Sequence, residues 1–173
     1  MTKDLPVVVH FNVINDGDIK GYLPEQAENL ATGFDVRNAG PRLVLKPFQK
    51  AKIPLGFRAV IPDGWWFSLK ARSSTFAKKD LVSLYGTIDE SYEGQWLFAV
   101  QYIPICEFTE NYLEGVVLFK DKELVIEHGE KVAQIVLLPR YSFIASNISN
   151  EKFNDLVSRR GAARGSGGFG STG

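Results

Sequence analysis

KIPLGFRAVIPDGWWFSLKA, Lys52 to Ala71, decides the fold class. Its apolar residues come in short runs rich in isoleucine, valine and aromatics, without the spacing of a helix. Pro62-Asp63-Gly64 interrupts them with turn chemistry, so the stretch predicts two paired strands and a tight turn. The pattern extends in both directions. PVVVHFNVI, LVLKPF, LVSLY, QWLFAVQYIPI, GVVLFK, ELVIEHG and KVAQIVLLP all predict strands. Many short strands with no helical pattern between them predict an all-β, jelly-roll-like barrel. One short helix is expected near the C-terminus, in SNEKFNDLVSRR. There Phe153, Leu156 and Val157 fall at i, i+3 and i+4, and Ser149 or Asn150 caps the start.

The 173 residues suit one barrel domain, expected over residues 1–160, burying about two thirds of its unfolded surface. From Gly161 the composition turns to glycine, alanine, serine and arginine, which predicts a flexible tail over residues 161–173. Twenty basic and twenty acidic side chains cancel. No global field gathers nucleic acid or an anionic membrane, and neither is an expected partner; any phosphate-binding charge must be local. The single cysteine, Cys106, excludes an internal disulfide and fits a reducing compartment. No apolar run approaches bilayer length and MTKDLPVVVH lacks signal-peptide shape, so a cytoplasmic protein is expected.

Four polar stretches interrupt the strand-like sequence. In ATGFDVRNA, Asp35 reads either as a turn aspartate bonded to its own backbone or as part of a site. In KARSSTFAKK, Arg72 with Ser73 and Ser74 matches the oxygens of a phosphate, and equally describes a surface turn. In YGTIDESYEGQW, Gly86 and Gly94 bracket an expected β-hairpin with Asp89 and Tyr92 at its tip. An aspartate so placed can deprotonate a water while the ring beside it acts as a steric floor; plain hairpin chemistry explains the same residues. In HGEKVAQIVLLP, Gln134 puts an amide into an apolar strand and needs a partner, backbone or ligand. The tail GSGGFGSTG, Gly165 to Gly173, is either a disordered end or a segment that orders on a ligand. Phe169 would supply a stacking face, and Ser171 and Thr172 with the glycine amides would supply donors to an anion. His10, His128 and Cys106 do not make a closed zinc site, and no G-x-S-x-G turn or P-loop is present. These assets suit metal-assisted attack of water on a phosphate ester.

Taken together and in order, the four stretches and the closing RGSGGFGSTG resemble the five motifs of the trimeric deoxyuridine triphosphatases (dUTPases), spread from Ala31 to Gly173. The resemblance implies a jelly-roll subunit, a homotrimer with shared active sites, and Mg2+-assisted hydrolysis of dUTP to dUMP and pyrophosphate. Such an activity limits uracil in DNA and supplies dUMP for thymidylate synthesis. By the same resemblance Asp89, Arg72 and Gln134 form the catalytic set, with Asp89 activating the water. Asp35 holds the magnesium ion through its water shell. Ser73 bonds a phosphate oxygen, and Ser74 contributes its amide. Ser83, Gly86, Ile88 and Tyr92 border the nucleoside, with Tyr92 under the deoxyribose. From the tail, Arg164 grips the γ-phosphate, Phe169 stacks on the pyrimidine, and Gly170, Ser171 and Thr172 close over the phosphates.

The sequence also departs from the family's pattern. Ser83 stands where the family has an asparagine that contacts the uracil edge. Thr75 and Phe76 replace a leucine and a small residue. ICEFTENYLEGVVLFKDKELV carries an apparent insertion, within about 105–122, that suggests an extra hairpin or arm, a contact for a protein partner, and a phage member of the family. Two alternatives remain: a dCTP deaminase of the same fold, alone or bifunctional, and a nucleotide-gated protein-binding regulator. QWLFAVQY offers no glutamate where the deaminases keep their catalytic acid.

Overall fold

The computed structural model describes residues 6–104 and 123–159. It divides at Arg140 into two compact units. Along the first unit run β1 (His10–Val13), β2 (Asn15–Asp16), β3 (Ile19–Lys20), β4 (Glu25–Gln26), β5 (Phe34–Arg37), β6 (Leu43–Leu45) and β7 (Lys50–Pro54). Then come β8 (Phe57–Val60), β9 (Trp65–Ala71), α1 (Ser73–Lys79), β10 (Leu81–Ser83), β11 (Gly86–Ile88), β12 (Leu97–Tyr102), β13 (Leu124–Ile126) and β14 (Lys131–Pro139).

The largest sheet has the order β11-β9-β14-β5-β4, and a second has β10-β12-β7. Among the described residues the pairs β1-β8, β13-β6 and β2-β3 complete the strands, and every pairing is antiparallel. Sequence neighbours are seldom sheet neighbours, as expected of a jelly roll. Alternation drives the packing. In β8, Phe57 and Ala59 point inward while Arg58 and Val60 face out. The core centres on an aromatic cluster: Trp96 lies 5.2 Å from both Phe57 and Phe67, and Phe11 closes on Phe57 at 5.5 Å. The Phe67–Trp96 and Phe11–Phe57 contacts are edge-to-face, a geometry that adds to the area these rings bury.

Several expectations need correction. Pro62-Asp63-Gly64 does form a turn, with Trp65 N donating to the Pro62 carbonyl at 3.1 Å. The strands around it do not pair, because β8 joins β1 and β9 joins β11 and β14. Nor is there a hairpin between Gly86 and Gly94. β11 pairs with β9, and the Asp89–Tyr92 turn leads toward β12 in another sheet. Among the described residues two helices occur rather than one, since Arg72-Ser73-Ser74 opens α1 instead of forming a surface turn. GVVLFK and Cys106 lie outside the described residues.

In the second unit, α2 (Asn150–Ser158) follows the expected pattern. Ser149 caps it, its hydroxyl accepting from Lys152 N at 3.2 Å. Phe153 and Leu156 on its apolar stripe are exposed. Among the described residues no helix is long and apolar enough to cross a membrane.

Candidate active site

β5, β14 and β9 lie side by side, and their register places Gln134 opposite both Asp35 and Lys70. Directly opposed residues share a face of the sheet. Arg72 follows two residues after Lys70, so it emerges on that face as well. The result is a buried carboxylate between two cations. Asp35 is only 6% exposed; Arg72 Nε meets its Oδ1 at 2.9 Å and Lys131 Nζ meets its Oδ2 at 3.1 Å. Lys131 also bonds Glu25 at 2.8 Å, and Arg37 reaches the same Glu25 oxygen at 2.5 Å. Hydrogen bonds from Lys131 and then Arg37 hold the Glu25 carboxyl below its ordinary pKa. The bonds to Glu25 and then Asp35 hold the Lys131 ammonium above the ordinary lysine value. Three cations face two carboxylates here. That excess is the local positive charge a polyanion requires in a chain with no net charge.

A bulge sets this geometry. Between β14 and β5 the register shifts from Lys131↔Arg37 to Ala133↔Val36, leaving Val132 as the extra residue. Its carbonyl accepts from the buried Thr75 hydroxyl at 2.8 Å, which fastens α1 to β14. Arg72 is the N-cap residue of α1 but makes no side-chain cap, its guanidinium being committed to Asp35. Ser73 and Ser74 form the first turn, where amides lie outside the helical ladder. Gln134 Nε2 makes a long 3.4 Å bond to the Ala71 carbonyl, so backbone is the partner of this amide. Its oxygen lies against Gly33, where a Cβ would stand 2.4 Å from Oε1.

Asp89 is elsewhere. It follows Ile88, which pairs with Phe67, and so stands level with Trp66 in a shared cleft. Arg72 lies six residues further along that strand line, about 20 Å at strand spacing. Asp89 is exposed, its carbonyl accepting from Tyr92 N at 3.0 Å. Tyr92 donates to the Gln95 carbonyl at 3.2 Å, its ring lying over Gly94, where a Cβ would stand 2.7 Å from Oη. Ser83 ends β10 opposite Val100, in an open groove with Lys50 and Leu84.

The structure therefore brings Asp35, Arg72, Ser73, Ser74 and Gln134 to one end of the large sheet, and Asp89 and Tyr92 to a turn remote from them. Arg164, Phe169, Gly170, Ser171 and Thr172 lie outside the described residues. Sequence reasoning missed Lys131 and Glu25, and marked Thr75 only as a departure from the family's pattern. Only their spacing around the bulge would have signalled them, and a bulge leaves no mark in a strand's composition.

No family model matches the chain. A deoxyuridine 5'-triphosphate nucleotidohydrolase of Chlamydia pneumoniae is 33% identical over 161 residues, covering 90% of this chain and 94% of that protein. The chain belongs to the dUTPase family. Among solved structures, a Staphylococcus bacteriophage 80alpha dUTPase matches at 25% identity and a TM-score of 0.70, over 99% of both chains. The dUTPase of phage phi11 of S. aureus matches at 23% identity and a TM-score of 0.66, over 83% of this chain and 97% of that one. It is described with a species-specific insert and, in a mutant form, with a structural Mg(II) ion. The fold of this dUTPase is thus the jelly roll of the phage enzymes. None of these relatives is a deaminase, and that alternative gains no support.

Proposed function

We propose that this dUTPase hydrolyses dUTP to dUMP and pyrophosphate in sites shared between the subunits of a homotrimer. The separation of about 20 Å along β9 between Asp89 and Arg72 carries this reading. One chain's base cannot act on a phosphate gripped by the same chain's arginine, whereas a neighbour's can. Asp89 accepts the proton of the attacking water, being exposed and free to meet a substrate. Arg72, clamped through Nε to Asp35 and by a long 3.5 Å bond from Nη1 to the Lys131 carbonyl, presents Nη2 to phosphate oxygens. Ser73 adds a hydroxyl, Ser74 its amide and Gln134 an amide group to the same oxygens. Tyr92 supports the sugar and excludes a 2′-hydroxyl, with Ser83, Gly86 and Ile88 bordering the nucleoside. The tail, with Arg164, Phe169, Gly170, Ser171 and Thr172, closes over base and phosphates.

A magnesium ion fits this donor set in one way. Among the described residues no group of three or more His, Cys, Asp or Glu side chains is assembled about one point. Asp35 Oδ2, however, is buried without a well-aligned hydrogen bond, the Lys131 contact notwithstanding. It can accept from a water on an ion that arrives with the triphosphate, the usual style of Mg2+ binding. When bound, the ion would neutralise charge on the phosphate oxygens. The cytoplasm, where deoxynucleotides are made, is the fitting location. The 105–122 segment, outside the described residues, is a candidate contact for a protein partner. A dUTPase of phage 80alpha has a SaPI-inducing capacity besides its enzymatic activity.

The decisive experiment mixes dead variants. Asp89→Asn and Arg72→Gln chains, each inactive alone, should regain up to about a quarter of wild-type activity when co-expressed at equal amounts, the random share of intact two-subunit sites. No recovery in co-assembled trimers would overturn shared sites.

A further inference from the structure

We propose that Glu90 is a positioning residue for Asp89, acting through a clasp with Gly64 and Arg140; this rests on Asp89 as the base. Glu90 Oε2 accepts from Gly64 N at 2.8 Å and from Arg140 Nε at 3.2 Å. Arg140 N in turn donates to the Gly64 carbonyl at 2.7 Å. Each of the three residues therefore holds the other two. Gly64 belongs to the turn that opens β9, Glu90 to the turn that ends β11, and Arg140 follows the last residue of β14. These are three adjacent strands of the large sheet, and the clasp ties their ends together beside Asp89.

The need for it follows from the topology. Ile88 is the last residue of β11 paired to β9, and beyond it the chain leaves the ladder. Asp89 is held by that pairing on one side and by the Tyr92 N bond within its own turn. Neither fixes how far the turn swings above the sheet. The Glu90 carboxylate does, because it reaches from the turn back to a backbone amide on β9's side. A carboxylate shared between an amide N–H and a guanidinium makes directional, charge-assisted bonds. With the Arg140 and Glu90 side chains 59% and 28% exposed, such a pair contributes little to stability. Its effect is on where the turn stands, and a base displaced by about 1 Å can cost a hundredfold in rate.

The test uses the full chain as a homotrimer with Glu90→Ala, Glu90→Gln, Arg140→Gln and the Glu90→Gln/Arg140→Gln double variant. The readouts are kcat and KM for dUTP, thermal midpoint, and active-site titration with a non-hydrolysable dUTP analogue. Glu90→Ala should lower kcat by about tenfold or more, with KM within about twofold and the titrated sites and midpoint kept. Glu90→Gln should fall less, since its amide oxygen still accepts from Gly64 N. The double variant should be no worse than the poorer single one, because both belong to one clasp. Wild-type kcat in Glu90→Ala, or a loss matched by fewer titratable sites, would overturn the proposal. Asp89→Asn run alongside separates the two claims: if it retains turnover, the base itself is misassigned.

Discussion

At the scale of single residues, Asp89 and Gln134 carry the sharpest expectations. Asp89→Asn keeps size and polarity but removes the proposed base, so kcat should fall by at least about a hundredfold. Analogue binding by titration should change little. Gly33→Ala would put a Cβ against Gln134 Oε1, the far end of a flexible side chain that can move away. Stability should hold while kcat drops, which a melting curve and steady-state rates would show together. Tyr102 offers a pH test. Burial, and secondarily the charge of Asp80, raises its phenol above the ordinary tyrosine value. A raised pKa means that the fold favours the neutral phenol. That contribution is complete below the ordinary value and is lost as pH rises through the folded one. Alkaline titration of tyrosine absorbance should show a late-ionising component, and Tyr102→Phe should delete it. Residue types were legible in the sequence because chemistry needs particular groups. Lys131 was not, since a lysine at a strand's start is ordinarily a solvated side chain.

Among the elements, α1 shows what sequence pattern misses and why. Ser73–Lys79 offers only about two turns, too short to stand on periodicity, and the bond from Thr75 to the Val132 carbonyl fastens it to β14. Thr75→Val should keep volume but leave that buried carbonyl unpaired, costing about 1–3 kcal/mol by chemical denaturation. If stability were unchanged, α1 would not depend on the bulge. The strands themselves were legible, as was α2 with its Ser149 cap. Their partners were not: YGTIDESYEGQW promises a hairpin, yet β11 and β12 enter different sheets, because pairing is settled by distant strands such as β9 and β7. Deleting Gly165 to Gly173 should abolish most activity with little change in thermal midpoint, if that segment closes the site.

For the whole molecule, the dUTPase should run in light scattering at three times the 19.3 kDa chain mass. An active species of single-chain mass would contradict shared sites. The jelly roll could be inferred from strand density, and the five motifs from their order, but neither says which copy of a motif meets which. On the proposed reading, that follows from the roughly 20 Å between Asp89 and Arg72 at strand spacing. The distance has a kinetic corollary. A chain whose halves of a site cannot meet is silent until it associates, so the rate law acquires the stoichiometry of assembly. Below the dissociation range, velocity at saturating dUTP should rise as about the third power of chain concentration, and become linear above it.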